Sequence, residues 1–283
     1  MRKKQSSGYF RGDPYEHLAR GYDLVAPTYD EIEGRNQLSE RVRRASLEAA
    51  LTVFQRGDLV LELGCGTGRD AVTLALHGIH VVATDVSPAM VMATRKRAAD
   101  AGVPDLVHAE VLPAAAAARL GGPYDGAYSN GAVLNMEPRL AIVAEGLALT
   151  VRSGGRAVLS VLNRVSLFEM LFYPLALRPR KAFRKLSHAV PIPVSRKGPG
   201  ARYVVPTHFL TPSEFLSSFG NAFDVEAWRG LQVITPPWNL VDEAATFAGA
   251  VAPLVAIEDR ISRWPWVRGL GAIFLLTLRR RGI

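Results

Sequence analysis

Apolar and polar positions alternate along this chain in two rhythms. Short apolar runs at 59–63, 79–83, 103–111, 124–129 and 156–162 end at glycine, acid or asparagine, as strands do when both faces of a parallel sheet are covered. Between them the period lengthens to that of a helix. Residues 39–54 carry Val42, Ala45, Ala49 and Val53 on one face; 70–77 end at Gly78; 88–101 follow the capping Ser87; 114–118 are alanines; and Pro138 opens an amphipathic stretch with Leu140, Val143, Ala144, Leu147 and Val151, stopped by Ser153-Gly154-Gly155. Strict alternation of strand and helix predicts a doubly wound α/β sheet with helices on both faces. Beyond residue 210 the pattern predicts a helix started by Thr211-Pro212-Ser213-Glu214, a sixth strand at 223–228, a helical insertion at 242–261 and a last strand at 271–280.

The first strand runs into DLVLELGCGTGRD, residues 58–70. Gly64, Gly66 and Gly68 alternate with Cys65 and Thr67, so backbone lacking Cβ atoms can turn sharply and lie against a ligand before a helix begins. A glycine-rich strand-to-helix turn with no ligand has the same look, and the flanks separate the two. Glu62 stands at the carboxyl end of the strand, where open parallel sheets bind ligands, and Asp85 ends the next strand, placed to accept hydrogen bonds from both hydroxyls of a ribose. A nicotinamide fingerprint wants a third glycine at position 69, which is arginine.

ELGCGTG followed by TDVSPAM resembles the class I methyltransferases that use S-adenosylmethionine (SAM), over residues 15–162 with a weaker echo in the last strand. That resemblance implies a Rossmann-like sheet of seven strands, mostly parallel, with an antiparallel last strand beside the sixth, and SAM as cofactor. It implies cofactor contacts at Tyr29, Glu62, Gly64, Cys65, Gly66, Gly68, Asp85, Val86, Glu110, Ser129 and Asn130. Glu110 is the choice among His108, Ala109, Glu110 and Val111 for an acid beside the adenine; Asn130 and Asn135 stand where cofactor and substrate meet, although Asn-Gly is also ordinary turn chemistry. Tyr22-Asp23 and Tyr29-Asp30, seven residues apart, share one side of a helix unless Pro27 breaks it, and in the family such a segment folds over the cofactor. Met90, one turn into the helix after Asp85, is either an adenine contact or core.

Composition narrows the rest. A chain of 283 residues with 48% hydrophobic content can bury a full core as one domain with insertions. The expected division is an N-terminal segment over the cofactor (1–37), a SAM-binding core (38–163), a basic and apolar lid (164–210), and a C-terminal part of the core (211–283) with a helical insertion at about 230–268. One cysteine excludes an internal disulfide and suits a reducing cytoplasm; no histidines pair at metal-site spacing, so no metal is expected. The start MRKKQSSGYF is basic with no apolar region behind it, and no apolar stretch is long enough to cross a bilayer.

Residues 164–202 hold nine Lys or Arg against Glu169 alone, equal to the whole net charge of +8, behind an apolar cluster of Leu167, Phe168, Met170, Leu171, Phe172 and Tyr173. That mixture suits a lid over an apolar substrate, a surface lying on an anionic membrane from the cytoplasmic side, a clamp for an acidic substrate, or a solvated basic face. Prolines interrupt the charges and no aromatic platform accompanies them, which disfavours nucleic acid.

The resemblance implies methyl transfer, and the charge and apolarity of 164–202 point to a small, rather apolar acceptor, lipid-like or anionic, such as a quinone, isoprenoid or secondary-metabolite intermediate. A non-catalytic SAM-binding or membrane-associated protein and a nucleotide-cofactor oxidoreductase are the alternatives. If the acceptor needs a base, His208, Glu137 and Tyr203 are the candidates, each with a structural role open to it. The acceptor atom and the oligomeric state are not encoded in any motif.

Overall fold

The computed structural model describes residues 12–187, 189–195, 198–240 and 248–282. The basic start, Arg196, Lys197 and the head of the expected insertion at 242 lie outside those residues. Seven strands form the central sheet: β1 (Leu59–Leu63), β2 (His80–Asp85), β3 (Val107–Val111), β4 (Tyr124–Ser129), β5 (Val151–Leu162), β8 (Phe223–Leu231) and β9 (Ile273–Arg280). Their spatial order is β3-β2-β1-β4-β5-β9-β8; the first five are parallel and β9 runs antiparallel to both β5 and β8. The chain leaves β1 in one direction and returns to β4 on its other side, so the crevice at the carboxyl ends lies between them. Register brings Leu63 level with Thr84 and Thr84 level with Glu110, which sets the β1 glycine turn beside the end of β2.

Alternation along β1 builds both sides of the core. Val60 joins Ala50, Phe54 and Leu74 on one face; Leu61 and Leu63 join Leu147, Phe215 and Phe274 on the other. The covering helices are α1 (Pro14–Val25), α2 (Tyr29–Gly34), α3 (Gln37–Val53), α4 (Arg69–Leu76), α5 (Pro88–Asp100), α6 (Val133–Met136), α7 (Leu140–Thr150), α8 (Leu167–Leu175), α9 (Pro179–Ala182), α10 (Pro212–Phe219) and α11 (Ala248–Ile261). Ser87 caps α5 by accepting the Met90 N–H, and Thr211 with Glu214 forms a capping box on α10, as the sequence pattern predicts.

Four local expectations are corrected. Pro27 does break the first helix: a 3₁₀ turn at Ala26–Thr28 separates α1 from α2. The third strand starts at Val107, because 103–106 are spent on a turn in which Val103 N–H bonds Ala98 and Leu106 N–H bonds Val103. Ser153-Gly154-Gly155 does not end α7; the helix stops at Thr150 and the glycines lie inside β5, opposite a register shift between Tyr124 and Gly126. A Cβ on Gly155 would meet the Asp125 carbonyl at 2.6 Å, so the close crossing of strands, not a turn, requires glycine there. A hairpin also appears where none was expected, β6 (Val190–Pro193) against β7 (Val204–Thr207). Pro191, Pro193 and Pro206 argue against a central strand, but a two-stranded ribbon consists only of edges, where proline is tolerated.

Candidate active site

The glycine loop hangs from β2. Gly64 and Cys65 N–H groups both donate to the Thr84 carbonyl, at 2.7 and 2.8 Å, and the Gly66 N–H donates to Asp85 Oδ2 at 2.9 Å. Two of the glycines are obligatory for different reasons. Gly64, at φ +72°, has Val133 where a Cβ would sit, 2.2 Å away; Gly66, at φ +54°, has nothing within 4 Å. The first is packed and the second faces open space.

That space is a cavity of about 290 Å³, lined at this end by Tyr22, Tyr29, Glu62, Gly66, Asp85 and Val86. Asp85 accepts from Gly66 and Ser87 N–H groups, yet burial outweighs those bonds and pushes its carboxyl up to about 6. Glu62 is buried with Oε2 lacking any hydrogen-bond partner; burial, then the nearby Asp70 and Asp85, pushes its pKa well up. An unsatisfied buried carboxyl oxygen is costly and marks a place for a donor.

The two Tyr-Asp pairs divide their labour. Tyr22 and Tyr29 line the cavity, while Asp23 Oδ1 accepts from Ser87 Oγ and Ala89 N–H, and Asp30 accepts from Thr67 Oγ at 2.6 Å and pairs with Arg97. The aspartates therefore tie α1 and α2 across the loop ends of β1 and β2, and the tyrosines become its cover. Behind the loop, Arg43 bridges Glu40 and Asp70, Arg69 bonds Glu40, and Asp70 Oδ2 accepts from Tyr128 and Asn130. Hydrogen bonding to Arg43, then Arg69, holds the Glu40 carboxyl down to about 2. Asn130 Oδ1 in turn accepts from Ser160 at 2.7 Å and Ser46 at 3.3 Å, so its amide is locked in orientation.

The opposite end of the cavity, toward the ends of β5 and β9, is apolar: Val42, Leu162, Ile192, Trp238 and Ile273, which share one hydrophobic cluster, whereas Val205 packs with Tyr22, Tyr29 and Met90. Trp238 is positioned by a buried carboxylate. Glu258 of α11 accepts the N–H groups of Gln232, Val233, Ile234 and Thr235 and the Thr235 hydroxyl, and Gln232 Oε1 takes the Trp238 N–H.

Of the residues singled out from sequence, Tyr29, Glu62, Gly64, Cys65, Gly66, Asp85, Val86, Asn130 and Glu137 line this cavity. Gly68, Glu110 and Ser129 do not. Gly68 closes against Thr94, Ser129 Oγ bonds the Leu63 carbonyl, and Glu110 pairs with His108 on the exposed side of β3. At the end of β3 it is Leu112 that reaches the cavity. Asn135 is buried structure, its amide bonded to Leu162 and the His208 carbonyl; Met90 is buried and also lines the cavity wall. Tyr203 bonds and stacks on His17, and neither it nor His208 lines the cavity. Glu137 does, with one oxygen accepting from Tyr15 and Arg139 N–H and the other from Ala115 N–H. The Glu40–Arg43–Asp70 set and Trp238 went unread; the signals available were the i,i+3 spacing of Glu40 and Arg43 and a tryptophan within a proline-rich bend.

Residues 60–155 match a family model described as a methyltransferase domain. Over that stretch the chain is similar to methyltransferase domains. Among curated proteins, an uncharacterized protein of Mycobacterium tuberculosis is 35% identical over 114 residues, 39% of this chain and 38% of that protein. A demethylmenaquinone methyltransferase of Beutenbergia cavernae is 34% identical over 150 residues, 52% of this chain and 55% of that protein. The chain thus spans between two fifths and just over half the length of these relatives. Among solved structures, the [4+2]-cyclase SpnF superposes over 97% of this chain and 99% of that one, with TM-score 0.60 at 16% identity, a likeness of fold. The methyltransferase match covers β1 through the first part of β5, the third of the chain that holds the glycine loop and Asp85. The chemistry of that part fits SAM on its own residues: an unpartnered Glu62 oxygen for a donor, the Asp85 carboxyl at the end of β2 as an acceptor, and open backbone at Gly66.

Proposed function

We propose that this chain moves a methyl group from SAM to a small, apolar acceptor. The observation that carries the reading is one cavity with two chemically different ends, hydrogen-bonding and acidic at Glu62 and Asp85, apolar at Ile192, Trp238 and Ile273. SAM supplies a methyl carbon made electrophilic by its sulfonium. Asp85 accepts the ribose hydroxyls, Glu62 Oε2 accepts from the cofactor amino group, and Tyr29 with Tyr22 covers the site against water. Cys65, Val86 and Leu112 pack on the adenosine, and Gly64 and Asn130 shape the floor between the two ends; Gly68 and Ser129 support them from behind. The hairpin β6–β7, within a lid spanning 164–210, and Trp238 hold the acceptor. Positioning in a dry enclosure then carries the rate.

Glu137 is committed to three hydrogen bonds and Tyr203 to His17, so neither is proposed as a general base. The relative named for demethylmenaquinone supports quinol-like rings as the first acceptors to try. Transfer of labelled methyl from SAM into a panel of quinols, isoprenoids and phenols tests the reading, with incorporation into at least one apolar class expected. Binding of SAM without transfer to any member would make this a SAM-binding protein; binding of NAD in its place would make it an oxidoreductase.

A further inference from the structure

Helix α8 is amphipathic in the sense opposite to that of a water-soluble helix. Its buried positions include Glu169 and Tyr173. Glu169 pairs with the buried Lys185, whose ammonium lies over the Phe209 ring, and Asn239 donates to Glu169 Oε1 at 3.1 Å and to the Tyr173 hydroxyl at 3.4 Å. Asn239 directly follows the cavity residue Trp238, so this polar face is fastened to the apolar end of the cavity. Apolar side chains stand outward instead, Met170, Leu171 and Leu175 on α8 and Leu177, Phe183 and Leu186 on the segment after it, with Leu175 84% and Leu177 90% exposed.

Leu177 is also held at φ +57°, a conformation that disfavours any branched side chain. Folding gains nothing from a leucine there. Arg178, Arg180, Lys181 and Arg184 stand exposed among these residues, and among the described residues no acid pairs with any of them. The neighbouring segment, whose Leu270 carbonyl accepts the Leu167 N–H at the start of α8, adds exposed Trp264 and Trp266.

We infer that this face, from α8 through Leu186, docks on the surface of an anionic lipid bilayer. Exposed leucines and phenylalanine enter the boundary between headgroups and acyl chains, and the four cations meet lipid phosphates. Charge complementarity selects this occupant: an acid-free cluster of cations threaded through exposed apolar side chains matches a negative, deformable surface. The contact is peripheral in kind, as no helix among the described residues is long and apolar enough to cross a membrane. Docked in this way, a cavity wall one residue from the α8 anchor would lie close to a store of lipid-soluble molecules.

Flotation of the full chain with lipid vesicles tests the inference without any cofactor, so its failure is separable from failure of methyl transfer. Binding is expected to vesicles of equal parts phosphatidylcholine and phosphatidylglycerol, not to phosphatidylcholine alone, and to weaken as salt screens the charges. Leu175→Asn with Leu177→Asn, the second suited to a left-handed backbone, should weaken binding about tenfold at unchanged melting temperature. Replacing Arg178, Arg180, Lys181 and Arg184 by Gln should remove the preference for anionic vesicles. Absence of flotation, equal flotation with both vesicle types, or a dimer in lipid-free sedimentation that the leucine variants abolish would each overturn it.

Discussion

The two ends of the cavity are built by different means. At the glycine loop, position is set by backbone: Gly64, Cys65 and Gly66 N–H groups are fixed to β2, and Asp85 is fixed to them in return. At the apolar end, position is set by side chains on segments inserted between strands, the β6–β7 hairpin and the turn that Glu258 gathers from residues 232–235. Backbone geometry dictates residue type, whereas an apolar wall can be made from many sequences. The first end can therefore stay fixed while the second changes what it holds.

Substitutions that damage one end and spare the other would sharpen this contrast, and the largest effect is expected at Glu258. Glu258→Ala orphans four N–H groups, three of them buried, and should destabilise the protein by about 3 kcal/mol in denaturant unfolding. In the folded fraction it should raise the acceptor KM and leave SAM affinity unchanged. Asp85→Ala should do the reverse, weakening SAM about 100-fold by calorimetry, in line with two lost charge-assisted hydrogen bonds. A SAM affinity equal to wild type in that variant would break the contrast.

The glycines divide in the same way on a smaller scale. Gly64→Ala collides with Val133 as well as straining φ, and should cost about 2 kcal/mol of stability. Gly66→Ala meets no neighbour, so its loss should be about 1 kcal/mol from the backbone alone and should show as weaker SAM binding. Smallest among these, Trp238→Ala should raise the acceptor KM about tenfold without moving the SAM titration, since one aromatic wall is removed at the far end.

The same division explains what could be read from the sequence. The five parallel strands, the capped helix after Asp85 and the glycine turn follow from residue types that few other structures would use together. They stand in the order the pattern puts them, with β3 starting four residues later and β5 five residues earlier than its apolar run. Glu110 did not reach the cavity because the strand it ends begins four residues later than its apolar run, after a turn, and because its side chain falls on the outward face of β3. The prolines of the β6–β7 hairpin hid two strands that only an isolated ribbon allows. Trp238 was invisible as a wall because its placement depends on Glu258, twenty residues away in sequence and joined to it only by folding.

The most direct test of the central claim, that Asp85 beside the glycine loop grips the adenosyl cofactor, is SAM titration across pH. With its carboxyl pushed up from 3.8 to about 6, the folded, cofactor-free protein binds more protons than the unfolded chain between those values, and its stability falls as pH rises through them. Ribose hydroxyls donate to the ionised form, so SAM binding moves the other way and strengthens as pH rises. The expected result is affinity about tenfold weaker near pH 5 than near pH 7.5, with Asp85→Asn weak and flat across the range. No binding at either pH, or an Asp85→Asn variant that matches wild type at both, would contradict the account.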